Sequence, residues 1–303
     1  MKFLPLLPLI CLALYSEFPS DLNRPVLTFE EIAEINSIQS KWVASENWVT
    51  RQSLKDFLES FKDSKPTEKR FRKAESSTKV DGLIPHAFDA SVQWPNCVVP
   101  VYNQSPCNAG YAIAVAAVLS ERLCISNQTL YTGMNFSSQY LVSCNSAGLK
   151  CSGGYIADAW SAISSTGTGV QSCQPYVGNV ACSNVCSNGT PVTIYVANPN
   201  SIVEFDGATS IQQEIMVRGA ITSTMTVYTD FAAYSSGIYT PTSVANAGNQ
   251  VVKVFGWGVS GETNYWICAN SYGTSWGMQG IFWIEFGECS IDSIGYAGMI
   301  TLN

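Results

Sequence analysis

Apolar positions near the N-terminus recur at helical spacing and predict two amphipathic helices within residues 28–62. Thr28 with Glu31 has the spacing of a capping box, and Ser53 can cap the second helix. Because two such helices cannot bury both apolar stripes alone, we expect them to pack on the remainder of the chain. The stripes are Ile32, Ile35, Ile38 and Trp42, and then Leu54, Phe57, Leu58 and Phe61.

The pattern of the larger remainder changes from helical to extended. Apolar segments predict helices at 111–122 and 153–165. Helices followed by strands are typical of an α+β fold with two packed subdomains. Strands are predicted at 192–196, 220–227, 251–257, 265–269 and 281–286.

Residues 1–16 have the pattern of a cleaved signal peptide. Lys2 precedes an apolar run from Phe3 to Tyr15, which is too short to span a bilayer. The alternative is a buried N-terminal helix. Residues 63–80 are polar, basic and aperiodic, which predicts an exposed linker that proteases could cut. Since no later stretch is long and apolar enough for a membrane helix, we expect a soluble mature protein without a membrane span.

Charge is distributed unevenly along the chain. Residues 1–80 contain 12 Lys and Arg against 11 Asp and Glu, a net charge of +1. Residues 81–303 contain 4 against 12, a net charge of −8. Because nucleic-acid binding needs a basic face, this acidic body argues against a nucleic-acid partner.

The cysteine content indicates an oxidising compartment. Of the 11 cysteines, Cys11 lies in the predicted signal peptide, which leaves ten in the body. Ten cysteines among Ser-, Gly- and Asn-rich loops favour a disulfide framework. Reduced cysteines that bind a metal are the alternative. With a single histidine and no pair of Cys-x-x-Cys spacings, a zinc site has few ligands, so we expect no metal and no cofactor.

The stretch with the most distinctive chemistry is residues 101–112, where a β-favouring run and a polar turn lead into an apolar helix. A helix start presents unpaired N–H groups and the positive end of a dipole. Enzymes place a thiol nucleophile there because that field lowers its pKa. Here the helix start is Gly110, which has no side chain.

Residues 103–112, NQSPCNAGYA, resemble the active-site segment of papain-family cysteine peptidases, whose pattern is Gln-Gly-Ser-Cys-Gly-Ser-Cys-Trp-Ala. Gln104 falls on the oxyanion-hole glutamine of that family, and Gly110 falls on its nucleophilic cysteine. Residues 256–258 and 270–277 resemble two C-terminal signatures of the same family. Residues 84–90, 94–97, 289–292 and 297–298 resemble the cathepsin B group within it.

The resemblance implies a papain-like fold, with a cleft between a helical half and a β-barrel-like half, preceded by an N-terminal helical propeptide. It divides the chain into a signal peptide at 1–16, a propeptide at 17–82 and a papain-like peptidase domain at 83–303. The peptidase domain would then have the chain's own propeptide as a binding partner. We expect the protein to be a monomer.

The other catalytic positions follow from the same resemblance. Gln250 falls on the family's histidine and Asn270 on the asparagine that orients it. An amide does not titrate in the useful range, so Gln250 cannot be a general base. The single histidine, His86, lies far from this pattern. The resemblance therefore implies a peptidase fold that has lost its nucleophile and its base.

The resemblance also assigns substrate-binding positions. Gly153 and Gly154 match the glycine pair whose backbone binds peptide, and Tyr272 and Trp276 match two tryptophans beside the site. Ile294 falls on the acidic residue at the floor of the main specificity pocket, which implies an apolar preference. The short segment between Cys173 and Cys182 lacks the family's occluding loop, so we expect an open cleft. At Gly110 we expect extra room that favours a carboxylate or another anion.

Family pairing implies four disulfides, which are Cys97–Cys124, Cys107–Cys151, Cys144–Cys182 and Cys173–Cys186. The state of Cys268 and Cys289 stays open.

We interpret the chain as an inactive protease homologue of the secretory pathway, extracellular or lysosome-like, that binds a peptide or protein ligand. The alternatives are an active cysteine peptidase with a rearranged site, and a storage or structural protein.

Overall fold

The computed structural model describes residues 18–61, 71–74, 84–145, 150–300 and 302. The predicted signal peptide at 1–16 lies outside the described residues. So does the predicted linker at 63–80, except for residues 71–74. Within the described part of the chain, no helix is both long and apolar enough to cross a membrane.

The structure has the predicted α+β class, with a helical N-terminal region and a large sheet. The helices are α1 (Phe29–Ile38), α2 (Trp48–Arg51), α3 (Leu54–Glu59), α4 (Ala90–Gln93), α5 (Gly110–Ser126), α6 (Gln128–Tyr131), α7 (Ser138–Cys144), α8 (Ile156–Ser165) and α9 (Ala208–Arg218). The strands are β1 (Trp42–Ala44), β2 (Arg72–Lys73), β3 (Phe88–Asp89), β4 (Val203–Phe205), β5 (Ile221–Tyr228), β6 (Tyr234–Tyr239), β7 (Asn246–Ser260), β8 (Thr263–Ala269), β9 (Ile281–Glu285) and β10 (Gly295–Ala297).

These strands form one sheet in the order β1-β6-β9-β8-β7-β5-β10-β4-β2, and β3 pairs with β7. The long strand β7 pairs antiparallel with β5 on one side and β8 on the other. Its register sets Gln250 opposite Met225, and Lys253 opposite Ala269. Strands predicted in these segments are confirmed, except at 192–196.

Residues 192–196 do not form a regular strand. Their only described ladder contact is an isolated bridge between Tyr195 and Thr168. Ile194 and Val196 remain partly exposed, so neither face of the segment is buried as a sheet strand would require. The β-branched composition of this segment was therefore not sufficient to form a sheet strand, because the segment has no partner strand among the described residues.

Helix α5 forms the centre of the core. It is buried from Gly110 to Cys124, since residues 111–119 are apolar on all sides and the charges of Glu121 and Arg122 are paired inside the protein. It packs against β7, α7 and α8. This burial fixes the place at which the helix begins.

The N-terminal segment packs on the body, as its two stripes predicted. The Thr28 capping box and the Ser53 N-cap are both present. However, α1 ends at Ile38, whose side chain is 64% exposed, and Trp42 lies in β1 rather than on the helix. The reason is tertiary pairing, since β1 pairs with β6 and buries Trp42 against Tyr234 and Tyr239.

The approach of β1 to β6 requires a glycine on the body. Gly237 has φ +88°, and an added Cβ would lie 2.5 Å from the carbonyl oxygen of Lys41. Only glycine accepts both this backbone conformation and this contact. The N-terminal segment is thus bound to the body by backbone hydrogen bonds between β1 and β6 as well as by the burial of its apolar side chains.

The four implied disulfides are all present. Cys107–Cys151 connects the turn before α5 to the 3₁₀ turn at Lys150–Ser152. Cys268 and Cys289 are free and buried. Burial raises the pKa of both thiols, that of Cys289 to about 12, so neither is an activated thiolate.

A buried ion pair joins α5 to α9. Arg122 and Glu214 are in contact with almost no exposure, and Arg218 adds a hydrogen bond of 2.8 Å to the second oxygen of Glu214. Burial alone would raise the pKa of Glu214, but the neighbouring guanidinium of Arg122 and the hydrogen bonds from Arg218 hold the pKa below its usual range. The carboxylate is therefore charged, and it neutralises Arg122 inside the protein.

We expect Glu214→Gln to lower the free energy of unfolding by about 3–5 kcal/mol, because it leaves the Arg122 charge buried without a counter-charge. Urea denaturation of the full chain measures the loss. The matched control is Arg218→Gln, for which we expect about 1 kcal/mol or less, since Arg218 is 40% exposed. Equal losses in the two variants would contradict this assignment.

Candidate active site

The turn before α5 is held from several directions at Gln104. Its backbone N–H donates to the carbonyl of Ser271 at 2.8 Å. Its carbonyl oxygen accepts from Cys107 N–H at 2.9 Å and from the Tyr176 hydroxyl at 2.6 Å. The side chain of Gln104 is thereby directed from a fixed backbone into the protein.

Two more segments bring polar side chains to the start of α5. The pairing of β7 with β5 places Gln250 there, and the segment after β8 supplies Asn270 and Ser271. The two hydrogens of the Gln250 Nε2 amide are shared among three acceptors, Gln104 Oε1 at 2.9 Å, Asn270 Oδ1 at 3.0 Å and Ser271 Oγ at 3.0 Å. All four positions predicted as catalytic therefore meet, with Gly110 at the helix start.

We call the group Gln104, Gln250, Asn270 and Ser271 the amide cluster. The Ser271 hydroxyl donates to Gln104 Oε1 at 2.6 Å, and its N–H donates to Asn270 Oδ1 at 2.8 Å. Every member is at least 96% buried, and Gln250 is 1% exposed. The cluster consists of neutral groups that do not titrate near neutrality, so it contains neither a nucleophile–base pair nor a charge.

The amide cluster fills the space beside Gly110. A Cβ at this position would lie 2.9 Å from Gln104 Oε1, 2.9 Å from Gln250 Nε2 and 3.1 Å from Ser271 Oγ. The expectation of extra room for an anion is therefore wrong. Two amide side chains occupy the volume that the missing side chain would otherwise free.

The aromatic residues form one wall of the site. Tyr272 is buried and meets Trp276 edge-on, with ring centroids 5.3 Å apart. Trp48 of α2 meets the other side of Tyr272 and donates its indole N–H to the carbonyl of Tyr272 at 3.1 Å. Burial raises the pKa of the Tyr272 phenol well above its usual range, so it stays neutral. The N-terminal segment thus covers this wall.

A cleft of about 460 Å³ remains between the N-terminal segment and the turn before α5. Trp48, Asp56 and Phe57 line it from the N-terminal side, and Asn108 and Cys151 line it from the body. This is the space left where the segment does not fill the surface next to the amide cluster.

The predicted glycine pair lies close to this cleft. Gly153 and Gly154 are both buried, and Gly153 has φ +103°. A Cβ on Gly153 would lie 2.6 Å from Asn108 Nδ2, so the backbone conformation and the contact both require glycine.

Ile294 lies apart from the amide cluster. It precedes β10 with 44% of its side chain exposed, and its carbonyl accepts from Ser223 Oγ at 3.0 Å. Its place in a specificity pocket stays a prediction.

Sequence reasoning missed Ser271, Tyr176 and Asn108. Ser271 stands directly after Asn270 in a matched segment, which was a usable signal. Tyr176 and Asn108 had none, because their roles arise only from contacts between distant segments. The described residues contain no group of three His, Cys, Asp or Glu side chains suited to holding a metal ion.

Comparison with known proteins agrees with this architecture. A family model described as papain family cysteine protease matches residues 84–299. Cathepsin B-like cysteine proteinase 3 of Caenorhabditis elegans is 31% identical over 306 residues, which cover 89% of this chain and 82% of the relative. Cathepsin B of Dictyostelium discoideum is 30% identical over 236 residues, 71% of this chain and 75% of that protein.

Among solved structures, procathepsin B S9 from Trypanosoma congolense superposes with a TM-score of 0.84 at 28% identity, covering 92% of this chain and 100% of that one. The chain therefore belongs to the papain family of cysteine proteases. Within the family it is a cathepsin B-like homologue with the fold of a procathepsin, whose N-terminal segment lies against the body.

We expect Gly110→Ala to destabilise the protein, although alanine is about 1 kcal/mol better than glycine within a helix. The added Cβ has to displace Gln104 and Gln250 and break buried hydrogen bonds, which costs about 1–3 kcal/mol. Denaturant unfolding measures the change.

The same substitution is then made in a Gln250→Ser variant, in which the side chain that the added Cβ would meet is shorter. In that background Gly110→Ala should cost at least about 1 kcal/mol less, as a double-mutant cycle would show. An equal cost in both backgrounds would contradict the filled site.

Proposed function

We propose that this chain is a catalytically inactive cathepsin B-like homologue that binds extended peptide segments in its cleft without cutting them. The observation that carries the proposal is the amide cluster packed into the space beside Gly110. Gly110 has no side chain to attack a carbonyl, the hydroxyl of Ser271 has no base beside it among the described residues, and two amide side chains occupy the space beside Gly110.

Thiol proteolysis needs a nucleophile, a base that accepts its proton, and donors for the oxyanion. We assign Gly110 to the nucleophile position and Gln250 to the base position. The single histidine, His86, is exposed at the start of the body, next to Pro85, whose carbonyl accepts from Trp257. Loss of members of a catalytic triad typically lowers the rate by several orders of magnitude.

The oxyanion function is weakened as well. Gln104 directs its Oε1 atom, an acceptor, to within 2.9 Å of the position where a Cβ of residue 110 would stand. This oxygen accepts from Gln250 and Ser271, which holds the Gln104 side chain inside the amide cluster and not free to donate to an oxyanion. Asn270, which we assign as the orienting residue, already accepts from Gln250.

Peptide binding depends on features that do not require these groups. We assign the backbone of Gly153 and Gly154 to contacts with an extended peptide, and Tyr272 and Trp276 to the wall of the cleft. The N-terminal segment that lies on this surface corresponds to a propeptide at 17–82, ahead of a peptidase-like domain at 83–303. The four disulfides favour an oxidising compartment reached through the secretory route.

The first test is hydrolysis of fluorogenic dipeptides by the full chain, before and after cleavage at a protease site inserted between residues 75 and 80. We expect no turnover in either form, with a folded circular dichroism spectrum. Turnover that an epoxysuccinyl thiol-protease inhibitor abolishes would overturn the proposal.

The site assignment has its own test. Gly110→Cys with Gln250→His supplies a thiol and an imidazole, and removes the amide that fills the space. We expect this variant to react with iodoacetamide at residue 110 and to hydrolyse the dipeptide at least about tenfold faster than its control. The control is Gly110→Ala with Gln250→His, which lacks only the thiol. A folded double variant that stays inert and unalkylated would overturn the placement of Gly110 and Gln250.

Ligand preference is testable at Ile294. If this side chain lines the main specificity pocket, the cleaved protein should bind peptides with an apolar residue at the corresponding position better than peptides with arginine there. We expect Ile294→Glu to reverse that preference by about tenfold, since a charge-assisted pair is gained. Fluorescence polarisation of labelled hexapeptides measures both affinities, and an unchanged ratio would remove Ile294 from the pocket.

A further inference from the structure

A second cavity, of about 370 Å³, lies near the other end of α5. We call it the Lys253 pocket. Glu121, at its floor, stands eleven residues after Gly110, so the two are about 16 Å apart along the helix. Between the two lies only a narrow cavity of about 20 Å³, which shares Val99 and Lys253 with the pocket and reaches Gly110. Its apolar lining includes Trp94, Val98, Val99, Ile125, Phe255 and Met278.

The polar part of the pocket is an ion pair between Lys253 of β7 and Glu121 of α5, both less than a tenth exposed. Glu121 Oε1 accepts from Lys253 Nζ and also from the N–H of Val99 at 3.0 Å. The Lys253 ammonium additionally lies 5.2 Å from the ring centroid of Phe255. Two charges of opposite sign therefore face a mostly apolar cavity.

The pair has unused hydrogen-bonding capacity. Both bonds to Glu121 are made at Oε1, and among the described residues Oε2 has no partner. The ammonium of Lys253 has three donors, of which one is used. The pocket thus offers a hydrogen-bond acceptor, Glu121 Oε2, beside a hydrogen-bond donor, Lys253 Nζ.

The charge balance selects the ligand. Because the pair is already neutral, a charged ligand would add an uncompensated charge to a buried site, at a high desolvation cost. A neutral group that both donates and accepts satisfies Glu121 Oε2 and Lys253 Nζ together. A pocket of 300–1,000 Å³ with apolar walls and few polar groups is typical of small-molecule sites, and this one lies within that range.

We propose that the Lys253 pocket binds a small neutral molecule with an apolar or aromatic body and one amide-like donor–acceptor group. The amide N–H donates to Glu121 Oε2, its carbonyl accepts from Lys253 Nζ, and the body packs against Trp94, Ile125 and Phe255. This site is independent of the peptide cleft and of whether the protein is catalytically inactive.

The test uses the full chain and three probes of similar size, which are benzamide, benzoate and ethylbenzene. Isothermal titration should give a benzamide affinity about tenfold tighter than that of either comparison compound, as expected for one net hydrogen bond or for one avoided buried charge. Equal affinities for the three probes, or no benzamide binding at millimolar concentration, would overturn the proposal.

Two variants locate the binding. Lys253→Met with Glu121→Gln removes both charges, keeps the volume and leaves an acceptor for Val99 N–H, so ethylbenzene should still bind while the advantage of benzamide falls about tenfold. Val98→Trp, at a half-exposed position on the rim, should block all three probes while leaving the fold intact. Benzamide binding that neither variant weakens would place the site elsewhere and refute the assignment.

Discussion

The burial of α5 is the constraint on which the rest of the structure depends. Residues 111–119 of α5 are apolar on every side, so this part of the helix can lie only inside the protein, and the strand β7 and the helices α7 and α8 enclose it. Its first residue, Gly110, is consequently fixed where three segments converge. Packing therefore determines the location of the site, and the chemistry of the site depends only on which side chains those segments present.

The side chains presented there bond mainly to one another, although the Nδ2 amide of Asn270 is buried without a partner among the described residues. In a buried site, a polar group without a partner costs free energy, whereas groups that satisfy one another rigidify the structure. The Gln250 amide nitrogen shares its two hydrogens among the oxygens of Gln104, Asn270 and Ser271. This arrangement needs no ionised group and no solvent access, unlike a thiolate–imidazolium pair. The same backbone scaffold therefore supports a buried site built from neutral hydrogen-bonding groups.

Local sequence signals predicted those elements whose causes are local. The Thr28 capping box, the Ser53 cap and the apolar run of α5 each act over a few residues, and each was confirmed. The disulfides followed from family resemblance. Trp42 was misplaced because pairing with β6 overrode the helical spacing. The filled space at Gly110 was beyond prediction, since it depends on the side-chain directions of Gln104 and Gln250, which are 146 residues apart in sequence.

The N-terminal segment packs both on the common core and on the strand that carries Gln250. Trp42, Leu54, Phe57 and Phe61 belong to the same buried core as α5. Phe61 contacts Gly248, two residues before Gln250, at a place where a Cβ would lie 2.4 Å from its own Cβ. Removing the segment would expose these side chains and loosen the strand that carries Gln250. The packing of the N-terminal segment therefore contributes both to the common core and to the rigidity of the strand on which the site is built.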